Sequence, residues 1–73
     1  MGGLLMSRRA FETIQHKQGW SVRRQGNSRA TTVYSTQDEA WSETRRRARG
    51  EAAEAILRDS SGEIQARNKY LSK

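Results

Sequence analysis

Thr36 to Gly50, TQDEAWSETRRRARG, is the one stretch of this sequence that carries a helix start, a helical period and a helix stop together. Thr36 and Glu39 form a T-x-x-E capping box, in which each side chain can satisfy an amide at the helix start. Asp38 and Glu39 suit the positive end of the helix dipole, and the arginines from Arg45 onward suit the negative end. Ala40, Trp41, Thr44 and Ala48 recur at i, i+1, i+4 and i+8, a narrow stripe of mostly small residues that lets a helix sit close on a sheet. Glu43 precedes Arg47 by four residues, the favourable order for an ion pair on a helix. Gly50 is a natural stop. Glu51, Ala52, Ala53 and Glu54 are good helix formers, so an end at Gly50 and an end at Glu54 both stay open.

The flanks read as strands. Phe11 to His16 mixes aromatic and β-branched residues, and Lys17 to Gly19 makes a turn. Trp20 to Arg24 alternates, with Trp20 and Val22 on one face and Ser21 and Arg23 on the other. Gln25 to Ser28 are turn formers. In Arg29 to Ser35, Ala30, Thr32 and Tyr34 share one face, and Arg29, Thr31 and Val33 share the opposite one. After the helix, Ala55 to Arg58 reads as a strand, Asp59 to Gly62 as a hairpin turn and Glu63 to Arg67 as the return strand. The expected fold is therefore α+β: a small antiparallel sheet in the order β-β-β-α-β-β, with one helix on one face. Its core is Trp20, Val22, Ala30, Tyr34, Ala40, Trp41, Thr44, Ala48, Leu57 and Ile64. Residues 1–10 are expected to be a frayed arm, 11–70 a single domain, with Tyr70 as its last anchor, and 71–73 a tail.

Size narrows the function. A chain of 73 residues buries only about 60% of its unfolded surface, which leaves little room for an enclosed catalytic cavity. His16 sits beside Lys17 in a turn with no motif that places a nucleophile near it, and the glycines form neither a G-x-G-x-x-G nor a Walker pattern. We therefore expect no enzyme and no cofactor. Without cysteine, and with one histidine, no metal site is expected either. No stretch approaches the ~20 apolar residues of a membrane span. The amino terminus places its apolar run before its arginines, the reverse of a secretory signal. The expectation is a cytoplasmic protein with no membrane contact.

The net charge of +6 points to an anionic partner or to simple solubility. Its distribution is uneven. Residues 1–35 hold Arg8, Arg9, Lys17, Arg23, Arg24 and Arg29 against Glu12 alone, whereas residues 36–73 are nearly balanced. If the aromatics mark the inside, Arg23, Arg29 and Thr31 project from the uncovered sheet face, with Arg24, Lys17, Arg8 and Arg9 beside them. These are the candidate contacts to duplex nucleic acid, DNA or RNA, since sheets can enter the major groove while basic groups hold the phosphates. Arg46 and Arg49 are secondary candidates, because the acidic residues of their own helix nearly neutralise them. A polar sheet face can also serve solubility. A protein partner or a homodimer through the sheet is the alternative.

Gly19, Trp20 and Val22, then Arg29 and Ala30, Tyr34, the TQ-x-EA of Thr36 to Ala40, and a closing Gly62, Ile64, Arg67 and Tyr70 resemble a family of small bacterial domains, domain-of-unknown-function family 2188. The resemblance spans about residues 11 to 70. Trp41 stands where that family usually has an aliphatic residue, and Glu51 to Glu54 stand in place of a glycine-rich link. It implies a fold and no activity. Trp20 to about Arg49 is also similar, at the level of fold, to the arm-binding amino-terminal domains of phage and transposon integrases. That similarity implies a sheet face touching DNA, with Arg23 and Arg29 at matching places; the same architecture can serve other functions.

Overall fold

The computed structural model describes residues 10–26 and 32–70. Its elements are β1 (Ala10–His16), β2 (Gly19–Arg24), β3 (Thr32–Tyr34), α1 (Gln37–Gly50), β4 (Glu54–Arg58) and β5 (Ile64–Lys69), in the expected β-β-β-α-β-β order. They form one five-stranded sheet in the order β3-β2-β1-β4-β5. The expectation of a wholly antiparallel sheet needs one correction, because β1 and β4 run parallel. The cause is the helix. β3 runs the same way as β1 after two antiparallel reversals, α1 carries the chain back, and β4 must then leave in the direction of β3 and β1.

Ala10 belongs to the fold and not to an arm. It is buried, pairs with Glu54 of β4, and its carbonyl accepts from the Gln25 N–H at 2.8 Å. The rest of the expected arm, with Arg8 and Arg9, lies outside the described residues, as do Arg29, Ala30, Thr31 and the expected tail.

Strand pairing fixes the two faces, since partners in register share one. Phe11 packs with Ala48, Ala53 and Ala55, and Trp41 and Tyr70 close over this cluster. The Thr13 and Thr44 hydroxyls, both fully buried, share a hydrogen bond of 2.6 Å that ties sheet to helix. Truncating either one alone leaves the other hydroxyl unpaired in the core, a cost of about 1–3 kcal/mol. By register, Trp20, Val22, Tyr34 and Leu57 join Phe11 and Thr13 beneath the helix. Ala40, Thr44 and Ala48 are the buried stripe of α1, as their spacing predicts. Small residues there bring the helix axis close to the strands.

Ile64 is the exception in the expected core. It is 45% exposed. A register shift beside Leu57 and Arg58 pairs Arg58 with Ile64 and skips Gln65, so the bulge turns Ile64 to the face away from the helix. Gln65 instead accepts from Gln37 at the start of α1. The turn before β5 is organised by Asp59, whose carboxylate accepts from the Ser61 N–H and hydroxyl and from the Glu63 N–H. These bonds, the Ser61 hydroxyl foremost, hold its pKa below the ordinary carboxylate value.

Both ends of α1 refine the sequence expectation. Thr36 accepts from the Glu39 N–H at 3.2 Å, while the Glu39 carboxylate accepts from the Ser35 hydroxyl, so half of the capping box forms. At the other end the helix stops at Gly50, and the left-handed residue is Ala52, with φ of 53°. The Ala53 N–H bonds to the Ala48 carbonyl at 2.8 Å and the Ala52 N–H to Arg49 at 3.4 Å, the Schellman pattern with alanine where glycine is usual. Left-handed backbone costs an L-residue about 1–2 kcal/mol. Ala52→Gly is accordingly expected to raise stability by about 1 kcal/mol in urea unfolding, with the slope unchanged.

Candidate nucleic-acid interface

The face away from the helix is built from the alternate residues of each strand. Glu12 of β1 lies opposite Arg23 of β2 and Ile56 of β4, and Ile56 lies opposite Arg67 of β5. Arg58 follows two residues along β4, and Lys69 pairs with Glu54. The described strand residues of this face thus include four cations, Arg23, Arg58, Arg67 and Lys69, against the carboxylates of Glu12 and Glu54. All five aromatic residues of the chain belong to the helix side, where Trp20 and Tyr34 pair in register and Trp41 and Tyr70 pack on the Phe11 cluster. The basic face offers phosphate-binding groups and no stacking platform.

Its centre is a buried carboxylate between two arginines. Glu12 is 3% exposed; one carboxylate oxygen accepts from Arg23 Nη2 at 3.1 Å and the other from Arg58 Nε at 2.9 Å. Arg58 Nη1 also donates to the Gly62 carbonyl at 2.9 Å, which ties this arginine to the hairpin turn. The Arg23 and Arg58 side chains remain 28% and 27% exposed. At the margin Arg67 stands 3.7 Å from Glu54.

The other described candidates belong to the helix, to the helix side of the sheet or to a turn. Arg24 was expected beside the basic face, but even-numbered positions of β2 point to the helix. Its guanidinium lies 4.8 Å over the Phe11 ring and donates to Glu51 at the helix cap. Lys17 is exposed in the turn between β1 and β2, where His16 Nδ1 accepts from the Gln18 N–H. Arg46 grips Glu43 with two bonds of 2.9 and 2.6 Å, and Arg47 adds a third at 2.8 Å. Arg46 above all, against the opposing effect of burial, lowers the Glu43 pKa. Arg49 sits over the Tyr70 ring at 5.7 Å. The helix arginines are therefore mostly engaged within their own surface.

Arg58, Arg67 and Lys69 are absent from the contacts expected from the sequence, and so is Glu12. The signal for Arg58 was present in the alternation of β4, where Ile56 and Arg58 share a parity opposite to Leu57. Glu12 showed only as the lone acid of a basic half. Among the described residues no three His, Cys, Asp or Glu side chains gather as metal ligands, and no helix is long and apolar enough to cross a membrane.

A family model described as an uncharacterized protein conserved in bacteria (DUF2188) matches residues 11–70. The chain belongs to this family. The match covers every element of the fold, and Ala10 alone among the strand residues precedes it. No significant match to a curated protein was found, and none to a solved structure. The family match supports the resemblance drawn from Gly19 to Tyr70; nothing found bears on the likeness to integrase domains.

Proposed function

We propose that this bacterial domain is a small non-enzymatic binding module that works in the cytoplasm and contacts nucleic acid through the sheet face away from the helix. The observation that carries this reading is the cationic row Arg23, Arg58, Arg67 and Lys69 on one face, with its two central arginines held in place by a buried carboxylate. Oriented guanidiniums are the usual phosphate ligands of proteins. The absence of aromatics on that face favours backbone contact with a duplex over base stacking.

A mobility-shift titration against salt tests it. Changing Glu12, Arg23 and Arg58 together to Gln removes the central cluster without leaving a bare charge, and should lower the slope of log affinity against log salt by about 2. Arg67→Gln alone should lower it by about 1. Arg46→Ala with Arg49→Ala should change it less than the triple variant does. No binding by the wild-type protein at low salt would refute the reading.

Association through the sheet is the second reading. Val33 and Ile64, at opposite edges of the same face, are 37% and 45% exposed, and a domain of this size gains stability from a partner. Sedimentation showing only monomer at high concentration would count against a homodimer.

A further inference from the structure

We infer that Glu12 is a positioning residue that sets Arg23 and Arg58 as a two-forked seat for one phosphodiester group. This assignment rests on the proposed nucleic-acid reading and names the ligand chemistry and the residue that organises it. A single carboxylate receives both arginines, one on each oxygen, across three adjacent strands. Each guanidinium is thereby anchored to the same carboxylate, although like charges would otherwise separate them. A guanidinium carries five N–H donors. Arg23 spends one through Nη2 on Glu12, and Arg58 spends Nε on Glu12 and one Nη1 hydrogen on Gly62.

Donors thus remain on both forks, and both side chains reach solvent. Arg23 Nε is buried without a hydrogen-bond partner among the described residues, so the donors left for a ligand are the remaining Nη hydrogens of the two arginines. A phosphodiester shares one negative charge between two non-bridging oxygens and can offer one oxygen to each fork.

The test exploits opposite signs. Glu12→Gln adds one positive charge to the face, so bulk electrostatics predicts tighter binding and a steeper salt dependence. A positioning role predicts the reverse: affinity for a short DNA duplex should fall about tenfold because the guanidiniums lose their common anchor. Glu54→Gln adds the same charge on the same face beside Arg67 and should bind as well as wild type or better. If Glu12→Gln does not fold, as judged by far-ultraviolet circular dichroism, Glu12→Asp takes its place. It keeps the charge but draws the carboxylate back by one methylene, and the same weakening is expected. Unchanged or tighter binding by the folded Glu12 variant overturns the assignment while leaving the nucleic-acid reading intact. Failure of the wild-type protein to bind the duplex overturns both.

Discussion

Gly19→Ala is expected to destabilise the fold by about 3 kcal/mol or more. Two independent costs meet at this position. The backbone has φ of 143°, a conformation that L-residues rarely adopt. A Cβ placed there would also come 2.1 Å from the Tyr34 carbonyl oxygen, which is backbone and has no rotamer to yield. Relief requires β2 and β3 to part where Trp20 pairs with Tyr34, and that pairing holds the chain entering the helix. Domains of this size seldom command more than about 3–5 kcal/mol in total. Urea unfolding followed by circular dichroism should therefore find Gly19→Ala largely unfolded at 25 °C, while Gly26→Ala, which bears the backbone cost of a φ of 92° but has no heavy atom near its Cβ position, should retain a cooperative transition. A Gly19→Ala protein within about 1 kcal/mol of wild type would show that the β2–β3 approach is looser than described.

The second large effect is expected at Glu12. Glu12→Ala leaves Arg23 and Arg58 facing each other over the centre of the sheet with no carboxylate between them. Breaking one partner out of a fully buried ionic group typically costs about 3–5 kcal/mol, and the cost here is smaller because the arginines left behind are 28% and 27% exposed, whereas replacing the whole group by uncharged residues is often neutral. The triple change to Gln should thus be clearly more stable than Glu12→Ala alone, although it alters three residues instead of one. That inversion separates a charge-balanced cluster from three independent contacts. If the triple variant is the less stable, the three side chains contribute separately and Glu12 is an ordinary half of two surface pairs.

Much of this architecture is legible in the sequence because it depends on local rules. The Thr36 cap, the Ala40, Thr44, Ala48 stripe and the alternation of Trp20, Val22 and Arg23 all follow from periods of 3.6 and 2, and the structure places each on its expected face. What was hidden depends on tertiary pairing. The bulge that turns Ile64 outward arises from register between β4 and β5, and a shift of one residue reverses every side chain after it. The left-handed Ala52 has no signal in its side chain, since glycine is the residue that advertises such a turn. Arg24 is expected to flank the basic face beside Arg23, and its pairing with Phe11 puts it on the helix side instead. Glu12 and Arg58 lie 46 residues apart, and only the parallel β1–β4 pairing brings them together.

The arginine-rich end of α1 is the most conspicuous basic run in the sequence, yet Glu43 and the aromatic rings of Trp41 and Tyr70 engage Arg45, Arg46, Arg47 and Arg49. The helix acts as a capped lid on the sheet. The arginines Arg23, Arg58 and Arg67 stand on the opposite face.

Chemical-shift mapping of the isotope-labelled protein, titrated with a short DNA duplex, addresses the proposed nucleic-acid contact most directly. The largest changes are expected on the Arg23, Arg58 and Arg67 side-chain resonances and on the amides of β1, β2, β4 and β5 around Glu12, with α1 little altered. Changes concentrated on Arg45 to Arg49, or none at low salt, would contradict it.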